Sequence, residues 1–192
     1  HLRILKSQIE LTGNSIKNYH GVEQLVYVDE VTGLYNTRYL SGIIDREIAA
    51  SVASGKPFAV LFIDADYFKS VNDVHGHLVG TQLLNELGNQ LRALVRETDT
   101  VFRYGGDEFI AVLSQSDLQT ASRVAERIRE YVDQQLFLKQ ENLNIHFTVS
   151  IGVALYPDHA GSKKAVLDAA DHAMYAAKKV SRNCVYVAET VS

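Results

Sequence analysis

At 192 residues the chain has room for one domain with a sizeable core plus an appendage. An apolar share of 46% and a charged share of 22% are globular values, and no segment is low in complexity. The net charge of −4 gives no basis for general affinity toward nucleic acid or anionic membrane, and a single cysteine, Cys184, excludes an internal disulfide. That cysteine usage fits a reducing compartment, and no apolar run or signal peptide marks membrane insertion or export, so a cytoplasmic location is expected. The chain opens on His1 and its only methionine is Met174, so it reads as a fragment. An upstream sensor domain or membrane anchor is expected in the longer protein.

Residues 1–28 place Leu2, Leu5, Ile9, Ile16, Tyr19 and Val26 near a and d positions of a heptad register, interrupted by Thr12 and Glu23. Gly13 and Gly21 each weaken that helix by about 1 kcal/mol. The segment is expected to pair with a second copy and pass on a signal, the competing reading being an amphipathic helix packed on its own domain. Residues 29–192 are expected to form the second, principal domain. Asn36 suits the N-cap of a helix that Gly55-Lys56-Pro57 stops. The continuous apolar run Phe58 to Ile63 predicts a strand buried on both faces, ending in Asp64-Ala65-Asp66. Leucines from Leu83 to Leu94 at helical spacing predict a helix over 78–96. Thr100–Leu113 reads as a hairpin turning at Gly105-Gly106, where glycine reaches φ > 0 cheaply. A helix capped by Asp117, a strand over 145–155, a helix over 162–179 and a short strand over 184–187 complete the order. The result is an α+β, palm-type (ferredoxin-like, split βαβ) fold. Its mixed, largely antiparallel sheet is flanked by helices, expected on one face, with an N-terminal helical extension.

Two acids directly after a glycine turn are more than a hairpin needs. In this topology Asp64 and Asp66 at a strand end can meet Asp107 and Glu108 at the turn. Carboxylates with a backbone carbonyl form a hard, all-oxygen site suited to Mg²⁺ or Mn²⁺. Lys69, Lys178 and Arg182 offer positive charge for a polyphosphate. The combination points to phosphoryl or nucleotidyl transfer. The pair His75 and His77 is read as shaping a turn rather than binding metal.

Seven motifs in order then resemble a GGDEF domain, the module that joins two GTP into cyclic di-GMP. They are D-E-V-T-G-L-Y-N at 29–36, F-I-D-A-D-Y-F-K at 62–69, N-D at 72–73 with G-H at 76–77, R-Y-G-G-D-E-F at 103–109, S-I-G-V-A at 150–154, A-D-H-A-M-Y-A-A-K at 170–178, and R-N at 182–183. The resemblance implies metal ligands Asp64, the Ala65 carbonyl, Asp107 and Glu108, with the general base left between Asp107 and Glu108. It implies phosphate handling by Phe68, Lys69, Lys178 and Arg182, with Lys69 and Arg182 counted beside the two acids as catalytic. The Gly105-Gly106 backbone lies against the nucleotide, and Asn72 with position 81 reads the base. Arg96-Glu97-Thr98-Asp99 matches the family's inhibitory product site through Arg96 and Asp99. Because each such domain holds one substrate, a homodimer is implied.

Position 81 departs from the family pattern, in which an acid reads the guanine edge. Thr81 replaces a bidentate, charge-assisted acceptor with one hydroxyl, at a cost of about 1–3 kcal/mol in base discrimination. A hydroxyl here resembles the subgroup that also accepts ATP and makes cyclic GMP-AMP. The alternatives are a strict diguanylate cyclase and an inactive receptor that binds cyclic dinucleotide through Arg96 and Asp99. Ser181, where the family usually has glycine, and Val31, for leucine, remove no chemical group.

Overall fold

A computed structural model describes residues 26–189. The N-terminal pairing helix expected over 1–28 lies outside the described residues except for Val26–Val28. Helix α1 (Thr37–Ser54) begins where the Asn36 side chain accepts a hydrogen bond from Arg38 N and ends at Gly55, whose φ of 70° closes the left-handed cap. Strand β1 (Phe58–Ala65) is buried along its whole length. Helices α2 (Phe68–His75) and α3 (His77–Ala93) follow, joined at Gly76. The hairpin β2 (Thr100–Gly105) and β3 (Glu108–Leu113) leads to α4 (Leu118–Gln134), capped by Asp117. Strand β4 (Val149–Tyr156), helix α5 (Lys163–Val180), capped by Ser162, and strand β5 (Val185–Val187) complete the described part.

The five strands lie in the order β2-β3-β1-β4-β5, antiparallel throughout except for the parallel β4–β5 pair. Alternate residues of β1 therefore enter two separate cores. Ala59, Leu61 and Ile63 pack with Leu83, Leu87 and Leu91 of α3 and with Ala125 and Ile128 of α4. Val60 and Phe62 pack with Leu40 and Ile44 of α1 and with Val166, Ala170 and Met174 of α5. Helices thus cover both faces of the sheet, not one as expected. The unbroken apolar run of β1 already required this, since each exposed face would have left a row of large apolar side chains in water.

Helix α2 was not legible, because eight residues are too short to establish a helical period. Helix α3 ends at Ala93 instead of 96, and β4 starts at Val149 instead of 145. Ile145 instead exchanges both backbone hydrogen bonds with Phe137. Helix α5 sits unusually close to β4. A Cβ on Gly152 would fall 2.0 Å from Ala170 O and 2.2 Å from Met174 N. Among the described residues no helix is long and apolar enough to cross a membrane.

Candidate active site

The end of β1 delivers Asp64 into the sheet beside the hairpin tip. Asp64 stands directly opposite Glu108 of β3 and Ser150 of β4, and Ala65 N donates to Asp107 O at 3.2 Å. The two acidic stretches that the sequence separates by some forty positions are therefore neighbours in the sheet. Asp64 is 3% exposed. Its Oδ2 pairs with Lys178 Nζ of α5 at 2.6 Å, whereas its Oδ1 is buried with no hydrogen-bond partner. Burial raises the Asp64 carboxyl to about 6; the Lys178 hydrogen bond and charge oppose this, and Asp107 and Glu108 add repulsion. Glu108 is likewise raised, first by burial and then by Asp107 and Asp171, against the pull of Lys178.

The orphaned Asp64 oxygen is what a hard cation would satisfy, since an unpaired buried carboxylate oxygen is costly. Among the described residues, no three His, Cys, Asp or Glu side chains converge tightly enough to hold a metal by themselves. Asp64 brings a buried oxygen without a partner, and Glu108 stands opposite it in the sheet.

The turn is held in place by residues not singled out as functional from sequence. Arg103 Nη2 and Nε donate to Gly106 O at 2.8 and 3.2 Å, and Arg103 Nη1 donates to Asp29 Oδ1 at 3.1 Å. Thr32 donates to Asp29 through both its backbone N and its hydroxyl. Burial pushes the Asp29 carboxyl up, but the Thr32 and Arg103 hydrogen bonds outweigh it, so its pKa lies below the ordinary value. Gly106 adopts φ 47°, which explains one glycine of the pair. Gly105 closes β2 without positive φ, and a Cβ there meets nothing within 4 Å. Arg103→Ala is expected to cost about 2 kcal/mol, the worth of a partly buried charge-assisted contact, seen as a fall of about 4–8 °C in melting temperature. The loss should be largely shared with Asp29→Ala in a double-mutant cycle followed by calorimetry.

Helices α2 and α3 cross at Gly80. A Cβ there would fall 1.9 Å from Asn72 Oδ1 and 3.1 Å from Phe68 Cζ, so glycine lets both side chains sit against α3. Asn72 Oδ1 is itself buried without a partner. Thr81, next along α3, donates its hydroxyl to His77 O at 2.9 Å. Lys69 lies in the first turn of α2. Arg182, just beyond α5, lies over the Tyr67 ring at 4.6 Å.

Arg96 and Asp99 lie apart from this cluster, at the entrance to β2. Asp99 is 3% exposed and both its oxygens are engaged, Oδ2 accepting from Arg96 N at 3.0 Å and Oδ1 from Ser114 N at 3.2 Å. Burial raises its carboxyl, with those hydrogen bonds opposing. A cleft of about 440 Å³ beside it is lined by Tyr35, Tyr39, Arg46, Glu47, Arg92 and Asp99, among others. The Asp99 carboxylate thus has a structural duty in pinning this turn that its position in a four-residue motif did not reveal.

The family profile described as "Diguanylate cyclase, GGDEF domain" matches residues 26–184. This chain belongs to the GGDEF family. It is 38% identical over 169 residues to the response regulator PleD of Caulobacter vibrioides, covering 86% of this chain and 37% of that protein. It is 40% identical over 160 residues to the diguanylate cyclase DosC of Escherichia coli, covering 83% of this chain and 35% of that protein. The chain thus spans little more than a third of these curated relatives. Its fold matches the crystal structure of the coiled coil and GGDEF domain of DgcB from Caulobacter crescentus in complex with c-di-GMP, with TM-score 0.86, 27% identity and 97% of each chain covered. The GGDEF fold explains why the hairpin tip, the end of β1 and the end of α5 form one locus, as they all lie at the same end of three adjacent elements.

Proposed function

We propose that this GGDEF domain condenses two nucleoside triphosphates into a 3′,5′-cyclic dinucleotide with release of pyrophosphate. The observation that carries this reading is Asp64, buried in a strand end with one oxygen unspent, facing Glu108 across β1–β3 and paired to Lys178. A domain that only bound cyclic dinucleotide at Arg96 and Asp99 would have no use for so costly a carboxylate.

Mg²⁺ or Mn²⁺ would be held by Asp64, with the Ala65 carbonyl, Asp107 and Glu108 as further oxygen donors. When bound, the ion supplies charge neutralisation for the triphosphate. Lys69 and Arg182 grip the phosphates, and Phe68 borders them. Lys178 acts there as well, through the charge it brings beside Asp64. Asp107 or Glu108 takes the proton of the attacking 3′-hydroxyl. Burial, with repulsion from Asp107, raises the Glu108 carboxyl above its ordinary value, which suits it to hold a proton taken from the hydroxyl. Gly105 and Gly106 present bare backbone to the nucleotide. For Gly105 no constraint within the described residues accounts for glycine, which supports this role. Two domains must face each other, so catalysis requires a homodimer, formed in the longer protein under an upstream sensor. The cleft beside Asp99 receives cyclic dinucleotide product, with Arg46 and Arg92 in its lining and the exposed Arg96 three residues before Asp99 as a further cation. The full-length protein works in the cytoplasm or from a membrane anchor.

GTP is the principal substrate, and Thr81 admits ATP as well, so that cyclic GMP-AMP accompanies cyclic di-GMP. The bond from the Thr81 hydroxyl to His77 O sets the order of preference. With its proton committed, the oxygen offers lone pairs to the N1–H and 2-amino group of guanine without rearrangement. Adenine N1, an acceptor, requires the hydroxyl to leave His77 and donate outward. Equimolar GTP and ATP should therefore give cyclic di-GMP in excess over the mixed product by mass spectrometry. Thr81→Asp should suppress the mixed product by about tenfold to a hundredfold. Cyclic di-GMP as the sole product of the unmodified protein would leave it a strict diguanylate cyclase.

A further inference from the structure

Asp66 is a carboxylate that the metal and phosphate reading does not use. It is 1% exposed, more deeply buried than Asp64, and its oxygens are fully engaged. Oδ1 accepts from Ser150 Oγ at 2.7 Å, and Oδ2 accepts from Thr148 Oγ1 at 2.7 Å and from Asn183 N at 3.0 Å. The last of these bonds joins the end of β1 to the loop after α5. In that loop Arg182 and Asn183 both adopt left-handed backbone, φ 54° and φ 46°, a conformation that asparagine tolerates but arginine rarely adopts. Two such residues in succession persist only when something outside them fixes the chain. Asp66 fixes it from the sheet, and Arg129 of α4 fixes it from the other side, donating from Nη1 to Asn183 Oδ1 at 3.1 Å. The consequence falls on Arg182, whose guanidinium is laid over Tyr67, the residue following Asp66, with Nη1 donating to the Tyr67 hydroxyl at 3.4 Å.

We propose that Asp66 is a positioning residue that presets Arg182 for the triphosphate. By holding the Asn183 N–H it keeps the strained 182–183 backbone in the one conformation that returns the guanidinium to the end of β1. The proposal rests on the reading that Arg182 grips phosphate. Because β1 carries Asp64 two residues earlier, the same strand end then sets both the carboxylate that faces the reacting groups and the cation beside them. A buried acid bonded to hydroxyls and a backbone N–H does this without charge of its own reaching the substrate.

Equilibrium binding of 3′-deoxy-GTP, which lacks the attacking hydroxyl, isolates the effect from dimerisation and turnover. Asp66→Asn reverses the hydrogen-bond polarity of one of its atoms and is expected to weaken 3′-deoxy-GTP about tenfold or more while leaving 3′-deoxyguanosine unchanged. Arg182→Ala should give a similar triphosphate-specific loss, and the double variant should be no weaker than Arg182→Ala alone. Additive losses, equal weakening of both probes, or unchanged affinity in Asp66→Asn beside a weakened Arg182→Ala would overturn the positioning role. Unchanged affinity in Arg182→Ala would instead remove the phosphate reading, and the proposal with it. If Asp66→Asn does not fold, Thr148→Val carries the test. It removes the hydroxyl that orients the same Asp66 Oδ2 that holds the Asn183 N–H, and it should also weaken the triphosphate selectively. Triphosphate affinity unaltered in that variant would overturn the proposal.

Discussion

Asp64→Asn is expected to cut pyrophosphate release from GTP by about a thousandfold or more while making the substrate-free protein more stable at pH 8. The first effect follows from losing the buried carboxylate charge whose Oδ1 has no partner, worth several kcal/mol of charge stabilisation. The second follows from burial. In the folded chain the Asp64 carboxyl is raised from 3.8 to about 6, so the native state holds its proton more tightly than the unfolded chain does. Stability from this group is therefore fully present at acid pH and is lost as pH rises through the interval from about 4 to about 6. The pair with Lys178 does not offset the burial. An amide removes the charge and with it that loss, roughly 1–3 kcal/mol or a rise of about 3–8 °C in melting temperature at pH 8. Melting curves of the two proteins without added divalent ion should converge near pH 4. A variant melting lower than the parent at both pH values would show that the Lys178 pair outweighs burial.

Gly152→Ala is expected to cost about 3 kcal/mol or more, a large share of the stability of a domain this size. The added methyl would meet Ala170 O at 2.0 Å and Met174 N at 2.2 Å. Both are backbone atoms of α5, so no rotamer change relieves the overlap, and the whole helix must move off β4. That helix seals one of the two cores with Val166, Ala170 and Met174, and it carries Lys178 to Asp64. Urea denaturation should show a lower midpoint with little change in slope. Activity should fall further than stability alone predicts at temperatures where the variant is still folded, because α5 sets the Lys178–Asp64 distance. A variant as stable as the parent would mean that β4 and α5 have more slack than their packing implies.

Much of the site was legible because its parts recur as short motifs with strong local chemistry. Asp64, Asp107 and Glu108 stand at a strand end and a glycine turn, positions that an alternating or apolar pattern exposes directly. The caps at Asn36 and Asp117 were legible for the same reason, being local. Other residues gave no such trace. Asp66 reads like Asp64 in the sequence, yet one is left with an unspent oxygen and the other is saturated by Thr148, Ser150 and Asn183. Arg103 reads as a strand residue, and Asp99 as half of a ligand motif, until their partners Asp29 and Ser114 come into contact.

The acids after Gly106, the fold class and the family were determined by sequence alone, since neighbouring residues and simple periodicity encode them. Which acid is free and which cation is engaged were decided only by tertiary structure. The reason is that a buried carboxylate takes its character from donors that lie far away in the chain. Thr148 and Asn183, 82 and 117 positions from Asp66, meet it only once β1, β4 and the end of α5 have packed together.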